Sequence, residues 1–157
     1  MQSTSLFSDR LGRLELAFIR IRRLWDAPWL RRRIVERIGI QVDPSLVRTL
    51  HAVRQAEGDM AVRDAAAWLC VDASTASRMV DAAVTAGYLE RRRSDSDRRR
   101  SVVTLTGSGN ELLDRVLAAK RELLAELTED WPDRDVELLA DLMERLAQRV
   151  AEMEDRS

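Results

Sequence analysis

A chain of 157 residues with one Cys, one His and one Lys is short of the usual raw material of metal, redox and acid–base chemistry. Cys70 alone makes no internal disulfide, and Cys70 with His51 cannot supply the three or four protein ligands of a zinc site unless carboxylates dominate. Structural zinc is excluded, and no metal or cofactor is expected. Only three Pro and six Gly are present, against 45% apolar and 34% charged residues, so the composition is neither fibrous nor disordered and leans helical rather than toward a β-sandwich. The longest unbroken apolar run, Ala65 to Val71, is far short of a membrane span. The N-terminal MQSTSLFSDRLGR lacks the basic-then-apolar pattern of a leader, so a soluble cytoplasmic protein with no membrane partner is expected. The length allows one domain and is too small for two with cores of their own.

Catalytic groupings are also missing. The single His51 is expected on the exposed side of a helix, there is no Gly-rich phosphate loop, and no paired carboxylates sit on a strand or turn. Acidic pairs such as Glu129-Asp130 read as helix-end charge. An enzyme is not expected.

What is present is helical periodicity. From Asp9 to Trp25, apolar residues recur at Leu11, Leu14, Phe18, Ile21 and Trp25, one face of a helix. Pro28 suits the first turn of a second helix running to about Ile38, and Gly39 offers a left-handed stop. Asp43-Pro44 reads as an N-cap followed by Pro at the first helical position, opening a helix with Leu46, Val47, Leu50 and Val53 inward that ends near Gly58.

Two short helices follow, Ala61 to Leu69 and Asp72 to Ala86, separated only by Cys70-Val71, which is helix-turn-helix spacing. The second places Ala76, Met79, Val80, Ala83 and Val84 on one side. Ser74, Arg78, Asp81 and Thr85 fall opposite, with Thr75 and Ser77 on the flanks. Gly87 ends it, and two β-like runs, Tyr88 to Arg92 and Ser101 to Leu105, enclose the polar stretch Arg93 to Arg100; this reads as a β-hairpin with a charged tip. Thr106 can cap a long helix from about Ser108 to Glu129, with Leu112, Leu113, Val116, Leu117, Leu123, Leu124 and Leu127 along one broad stripe. After Trp131-Pro132 a last helix repeats Val136, Leu139, Met143, Leu146, Val150 and Met153 in steps of three and four. That seam reads either as intrachain core or as an interface with a second chain, and the wide stripe on the preceding helix favours the interface.

The expected fold is therefore mainly α with a small two-stranded β wing: N-terminal helices in residues 1–40, a winged helix-turn-helix lobe in 41–106, and C-terminal helices in 107–157. The residues of the lobe resemble the MarR family of bacterial transcription regulators, and the resemblance implies that the helices of 1–40 and 107–157 are dimerisation helices. The resemblance runs from about Val62 to Leu113. It is carried by Ala65-Ala66-Ala67-Trp68-Leu69-Cys70-Val71-Asp72-Ala73-Ser74-Thr75-Ala76-Ser77-Arg78, by Ala86-Gly87-Tyr88-Leu89-Glu90-Arg91, by Ser96-Asp97-Arg98-Arg99-Arg100, and by Leu105-Thr106-Gly107-Ser108-Gly109. Two features depart from the family pattern: the Trp25 to Ile38 segment is longer than the usual link between the first helices, and Ala65 stands where a larger aliphatic is common.

A helix fits the major groove of B-DNA, where Ser and Thr hydroxyls can bond bases or phosphates and Arg can grip guanine with two bonds. Ala73, Ser74, Thr75, Ser77 and Arg78 are the candidate readers. An anonymous helix with this face would read as merely solvated; behind a tight turn and ahead of a basic hairpin it reads as a recognition helix. At the tip, Arg98, Arg99 and Arg100 can follow a narrow minor groove. The resemblance implies that Arg99 enters that groove while Asp97 orients a neighbouring Arg.

The resemblance also implies a homodimer acting on a pseudo-palindromic operator, with repression relieved by a small molecule, such as a phenolic or other lipophilic acid, bound between the lobe and the dimerisation helices. Arg22, Trp25, Trp29 and His51 are the candidate effector residues, although tryptophans at helical spacing also read as core. Two alternatives stand beside this: a redox-responsive regulator switching through Cys70, otherwise read as a small buried side chain, and a winged-helix module that recruits only protein. Peroxide-sensing relatives carry their Cys in the first helix, where this sequence has none.

Net charge is −1, from 26 basic and 27 acidic groups, which by itself argues against nucleic acid. The near-neutral total is a cancellation. Residues 1–58 carry 11 basic and 6 acidic groups, residues 59–106 carry 8 and 7, and residues 107–157 carry 7 and 14. The stretch 91–100 alone holds six Arg against two Asp, so positive charge gathers at the wing and acid in the terminal helices. All but one of the cations are Arg, which a GC-rich genome explains as readily as phosphate recognition does.

Overall fold

The computed structural model describes residues 2–25, 27–56, 60–93, 101–154 and Arg156. Helix α1 spans Gln2–Trp25, starting seven residues before Asp9, where the apolar pattern places its beginning. Helix α2 covers Pro28–Ile38; Ala27 is extended before it, Pro28 takes the first turn, and Gly39 closes it at φ 72° in the left-handed region that suits a residue without Cβ. Helix α3 covers Pro44–Gln55, and Asp43 caps it by accepting the Ser45 backbone N–H at 2.7 Å. It stops at Gln55, short of Gly58.

The next element lies outside the expected pattern. Met60–Ala61 form a two-residue strand β1, too short for any period to reveal. The remaining elements are α4 (Val62–Leu69), α5 (Ala73–Thr85), β2 (Leu89–Arg93), β3 (Ser101–Leu105), α6 (Gly107–Leu127) and α7 (Asp133–Glu154). The sheet order is β1-β3-β2, all antiparallel, with Met60 opposite Val103 and Leu89 opposite Leu105. The two-stranded wing hairpin is present as β2 and β3, and β1 adds to it a third strand that the sequence did not announce. β1 gives β3 a second hydrogen-bonded neighbour and joins the wing to the start of the helix-turn-helix.

The core lies in this lobe. Leu50 and Val53 of α3, Ala65 and Leu69 of α4, Val80 and Ala83 of α5, Leu89 and Val103 of the sheet, and Leu113 and Val116 of α6 are all buried together. Ala65, the departure from the family pattern, is fully covered within it. Arg54 of α3 pairs with Asp114 of α6 at 2.6 Å, and Arg115 of α6 donates to the carbonyl of Ile38 at the end of α2. Thr106 joins the end of the sheet to α6: its hydroxyl donates to the Gly87 carbonyl at 2.8 Å and accepts the Gly109 N–H at 3.0 Å. Gly109 is required here, because a Cβ at this position would run into the carbonyl of Tyr88.

The chain divides into two compact units, residues 1–119 and 120–157, the division falling within α6. In the first, the apolar residues Leu11, Leu14, Phe18 and Ile21 of α1 are all exposed. In the second, every α7 residue whose exposure is described is exposed, with Leu139 at 43% and Leu146 at 38%. Within its own unit the terminal seam is therefore uncovered. Trp29 is likewise 44% exposed rather than core. No described helix is long and apolar enough to cross a membrane.

Candidate nucleic-acid interface

The helix-turn-helix begins from α4, whose C-terminal carbonyls need partners. The Cys70 N–H bonds the Ala67 carbonyl at 3.1 Å, and Val71 reaches back to Ala66 at 3.1 Å. To do so Cys70 adopts φ 54°, the only positive φ on a non-Gly residue among those described. Arg48 of α3 donates to the Leu69 carbonyl at 2.9 Å, placing a cation where the helix dipole is negative. The side chain of Cys70 is exposed, which corrects the expectation of a buried one. A residue in a left-handed turn between two helices turns its side chain away from the core that Leu69 fills.

Asp72 then starts α5. Its Oδ1 accepts the Thr75 N–H at 2.9 Å and the Ser74 hydroxyl at 2.5 Å, while Oδ2 accepts the Thr75 hydroxyl at 2.7 Å. These bonds, that from the Ser74 side chain foremost, hold the Asp72 carboxyl far below the usual carboxylate range, so it is ionised at any physiological pH. Arg78 donates to the Thr75 hydroxyl oxygen at 3.2 Å. The inner face of α5 buries Ala76, Val80 and Ala83; Ser74, Arg78, Asp81 and Thr85 are exposed, and Thr75 and Ser77 are half-buried. This is the division that the spacing predicts, and Ala73 is exposed at the head of the helix.

The wing is tied to this helix. Arg91 of β2 forms an ion pair with Asp81, which also accepts the Ser77 hydroxyl at 3.4 Å. Strands β2 and β3 pair as far as Arg93 and Ser101. The tip residues Asp97, Arg98, Arg99 and Arg100 lie outside the described residues.

Asp72, Arg91 and Asp81 were absent from the sequence-derived candidates. For Asp72 the signal was present: an Asp two and three residues before Ser74 and Thr75, at the head of a helix, is a cap whose neighbours can bond it. The Arg91 to Asp81 pair joins a strand to a helix ten residues away and has no local signature.

The candidate effector residues are less gathered. Arg22 and Trp29 are exposed, and the side chain of Trp25 lies outside the described ones. His51 is half-buried rather than exposed, its ring tilted 42° against Trp68 at 5.5 Å between centroids. Trp68 is the aromatic neighbour that the sequence reading left out. Among the described residues no cluster of three or more His, Cys, Asp or Glu could hold a metal ion.

Residues 40–100 match the MarR family model. The fold as a whole is similar to solved structures of such proteins. It covers 96% of this chain and 98% of a MarR family protein from Bacillus stearothermophilus, at 19% identity and a TM-score of 0.69. For the Mycobacterium tuberculosis protein RV1404 the shares are 87% and 94%, at 23% identity and a TM-score of 0.70. The transcriptional regulator BldR from Sulfolobus solfataricus is similar over 89% of this chain and 96% of its own, at 23% identity and a TM-score of 0.64. No curated protein matches the sequence at a significant level.

Proposed function

We propose that the chain is a sequence-specific, double-stranded DNA-binding transcription regulator acting as a homodimer on a pseudo-palindromic operator. The observation that carries this is the outer face of α5: Ser74 and Arg78 exposed on a capped helix that follows a three-residue turn and is braced by the wing through Arg91. A helix so presented suits the major groove. In this reading Ala73, Ser74, Thr75, Ser77 and Arg78 face the bases and the Asp97 to Arg100 tip follows the minor groove.

The dimer is supported by the uncovered apolar residues of α1 and α7, which a second copy would bury. Two recognition helices roughly 34 Å apart then meet successive major-groove faces. Repression relieved by a phenolic or lipophilic acid effector, with Arg22, Trp25, Trp29 and His51 as its residues, belongs to the same reading.

The test is selection of genomic DNA by the full chain, followed by binding measurements on the recovered site. Arg99→Ala weakens binding on all sequences and lowers the salt slope by up to about 0.9 for each lost phosphate contact. Arg78→Ala costs about 1–3 kcal/mol at one base pair if it reads guanine. Failure to recover any enriched DNA overturns the proposal in favour of a protein-recruiting module.

The exposure of Cys70 in the turn favours one second reading, in which oxidation of its thiol displaces α5. A peroxide titration of DNA binding, repeated with Cys70→Ser, decides it.

A further inference from the structure

We infer that Asp72 turns the hydroxyls of Ser74 and Thr75 into acceptors toward the groove, so that α5 selects the bases that present an amino group in the major groove, adenine or cytosine, on the strand it faces. The inference rests on the DNA-binding reading above and adds what that reading leaves open, the polarity of recognition.

A Ser or Thr hydroxyl carries one proton and two lone pairs, so a free one serves any base edge or a phosphate equally. Here the protons are already committed. Ser74 donates to Asp72 Oδ1 at 2.5 Å and Thr75 to Asp72 Oδ2 at 2.7 Å. An ionised carboxylate can only accept, so neither bond can run the other way. Thr75 further accepts from Arg78 at 3.2 Å, leaving it one lone pair, while Ser74 keeps both.

Three consequences follow for a duplex against this face. Phosphate oxygens, themselves acceptors, gain nothing from either hydroxyl and are repelled by the Asp72 carboxylate. Guanine N7 and O6 and thymine O4 are acceptors too and are refused. Adenine N6 and cytosine N4 are donors and are accepted. Arg78 has only donors to offer, so the same helix turn presents acceptors at Ser74 and Thr75 and donors at Arg78, a pattern that orients the base pairs as well as choosing them.

The experiment is selection of the full-length protein on a randomised duplex library with sequencing of the bound fraction, for wild type, Ser74→Ala, Thr75→Val and Asp72→Asn. Positions whose preference collapses in Ser74→Ala or Thr75→Val mark the contacts. There the wild type favours adenine or cytosine over guanine or thymine on one strand by about fivefold, the weight of a single neutral hydrogen bond.

Asp72→Asn caps a helix about as well, but its amide nitrogen donates, so one hydroxyl is released to donate outward. The ratio at one marked position falls to about one while the melting temperature is held, and the affinity for a fixed non-specific duplex rises because the carboxylate's repulsion of the phosphates is gone. A purely structural cap would leave that ratio unmoved.

Guanine or thymine at the marked positions, no marked position at all, or a ratio unmoved in a folded Asp72→Asn overturns the inference while salt-dependent DNA binding still stands. Absence of binding to any duplex at low salt overturns both. Should Asp72→Asn not fold, the base identity at the wild-type marked positions decides alone.

Discussion

Helices α5 and α7 carry the same kind of pattern and meet opposite fates. Both repeat apolar residues at steps of three and four, yet Ala76, Val80 and Ala83 of α5 are wholly buried while Val136, Leu139, Met143, Leu146 and Val150 of α7 are 36–50% exposed. An amphipathic repeat states which face seeks cover and says nothing of where the cover comes from. For α5 it comes from α3, α4 and the sheet within the same chain. For α7 no described residue of its own unit supplies it, which is the physical basis for proposing a second copy.

The contrast can be broken at the α5 end first, where the largest effect on the lobe is expected. Val80→Asp puts an unpaired carboxylate in a fully covered position and costs more than about 4 kcal/mol; chemical denaturation should show no folded baseline at neutral pH.

Gly109→Ala comes next. The added methyl meets the Tyr88 carbonyl and costs about 1–3 kcal/mol by thermal unfolding, whereas Gly107→Ala, with open space around it, stays within about 1 kcal/mol of wild type on the stabilising side.

A smaller effect belongs to Asp43, whose carboxyl is held below its ordinary value of 3.8, first by the Ser45 hydroxyl and then by the Ser45 N–H. A carboxyl with a depressed folded pKa contributes stability above its unfolded pKa and loses it as pH falls through the folded one. The melting temperature of the wild type therefore drops below about pH 4, and Asp43→Asn shows a shallower drop while differing little at pH 7.

At the α7 end the lobe should barely register the change. Leu139→Glu with Leu146→Glu leaves the lobe folded by circular dichroism but shifts the light-scattering mass from twice 17.9 kDa to 17.9 kDa. A wild type that already scatters as a 17.9 kDa monomer at micromolar concentration would remove the contrast's proposed cause.

The lobe was legible in the sequence wherever the controlling interaction is short in chain distance. Pro28, Gly39 and Asp43 mark helix ends through bonds or dihedrals spanning a few residues, and each does so in the structure. The polar face of α5 followed from period alone, because a helix of 13 residues is too short for the pattern to drift. Strand β1 was not legible: its two residues hold their shape only through Val102 and Val103, some forty positions away. Cys70 misled for a related reason. Its type suggests burial, but its place at a left-handed helix end turns the side chain outward.

The sequence by itself determined the helix ends marked by Pro28, Gly39 and Asp43, which face of α5 is polar, and that positive charge gathers around the wing while acid gathers in the terminal helices. Those properties reside in near neighbours and in composition. Only the tertiary structure decided that the wing is part of a three-stranded sheet, that Arg91 braces α5 through Asp81, that His51 lies against Trp68, and that α7 is left bare. Each of these depends on chain closure bringing distant residues together, or failing to, and the free energy of such contacts is set by the solvent they exclude rather than by any spacing along the chain.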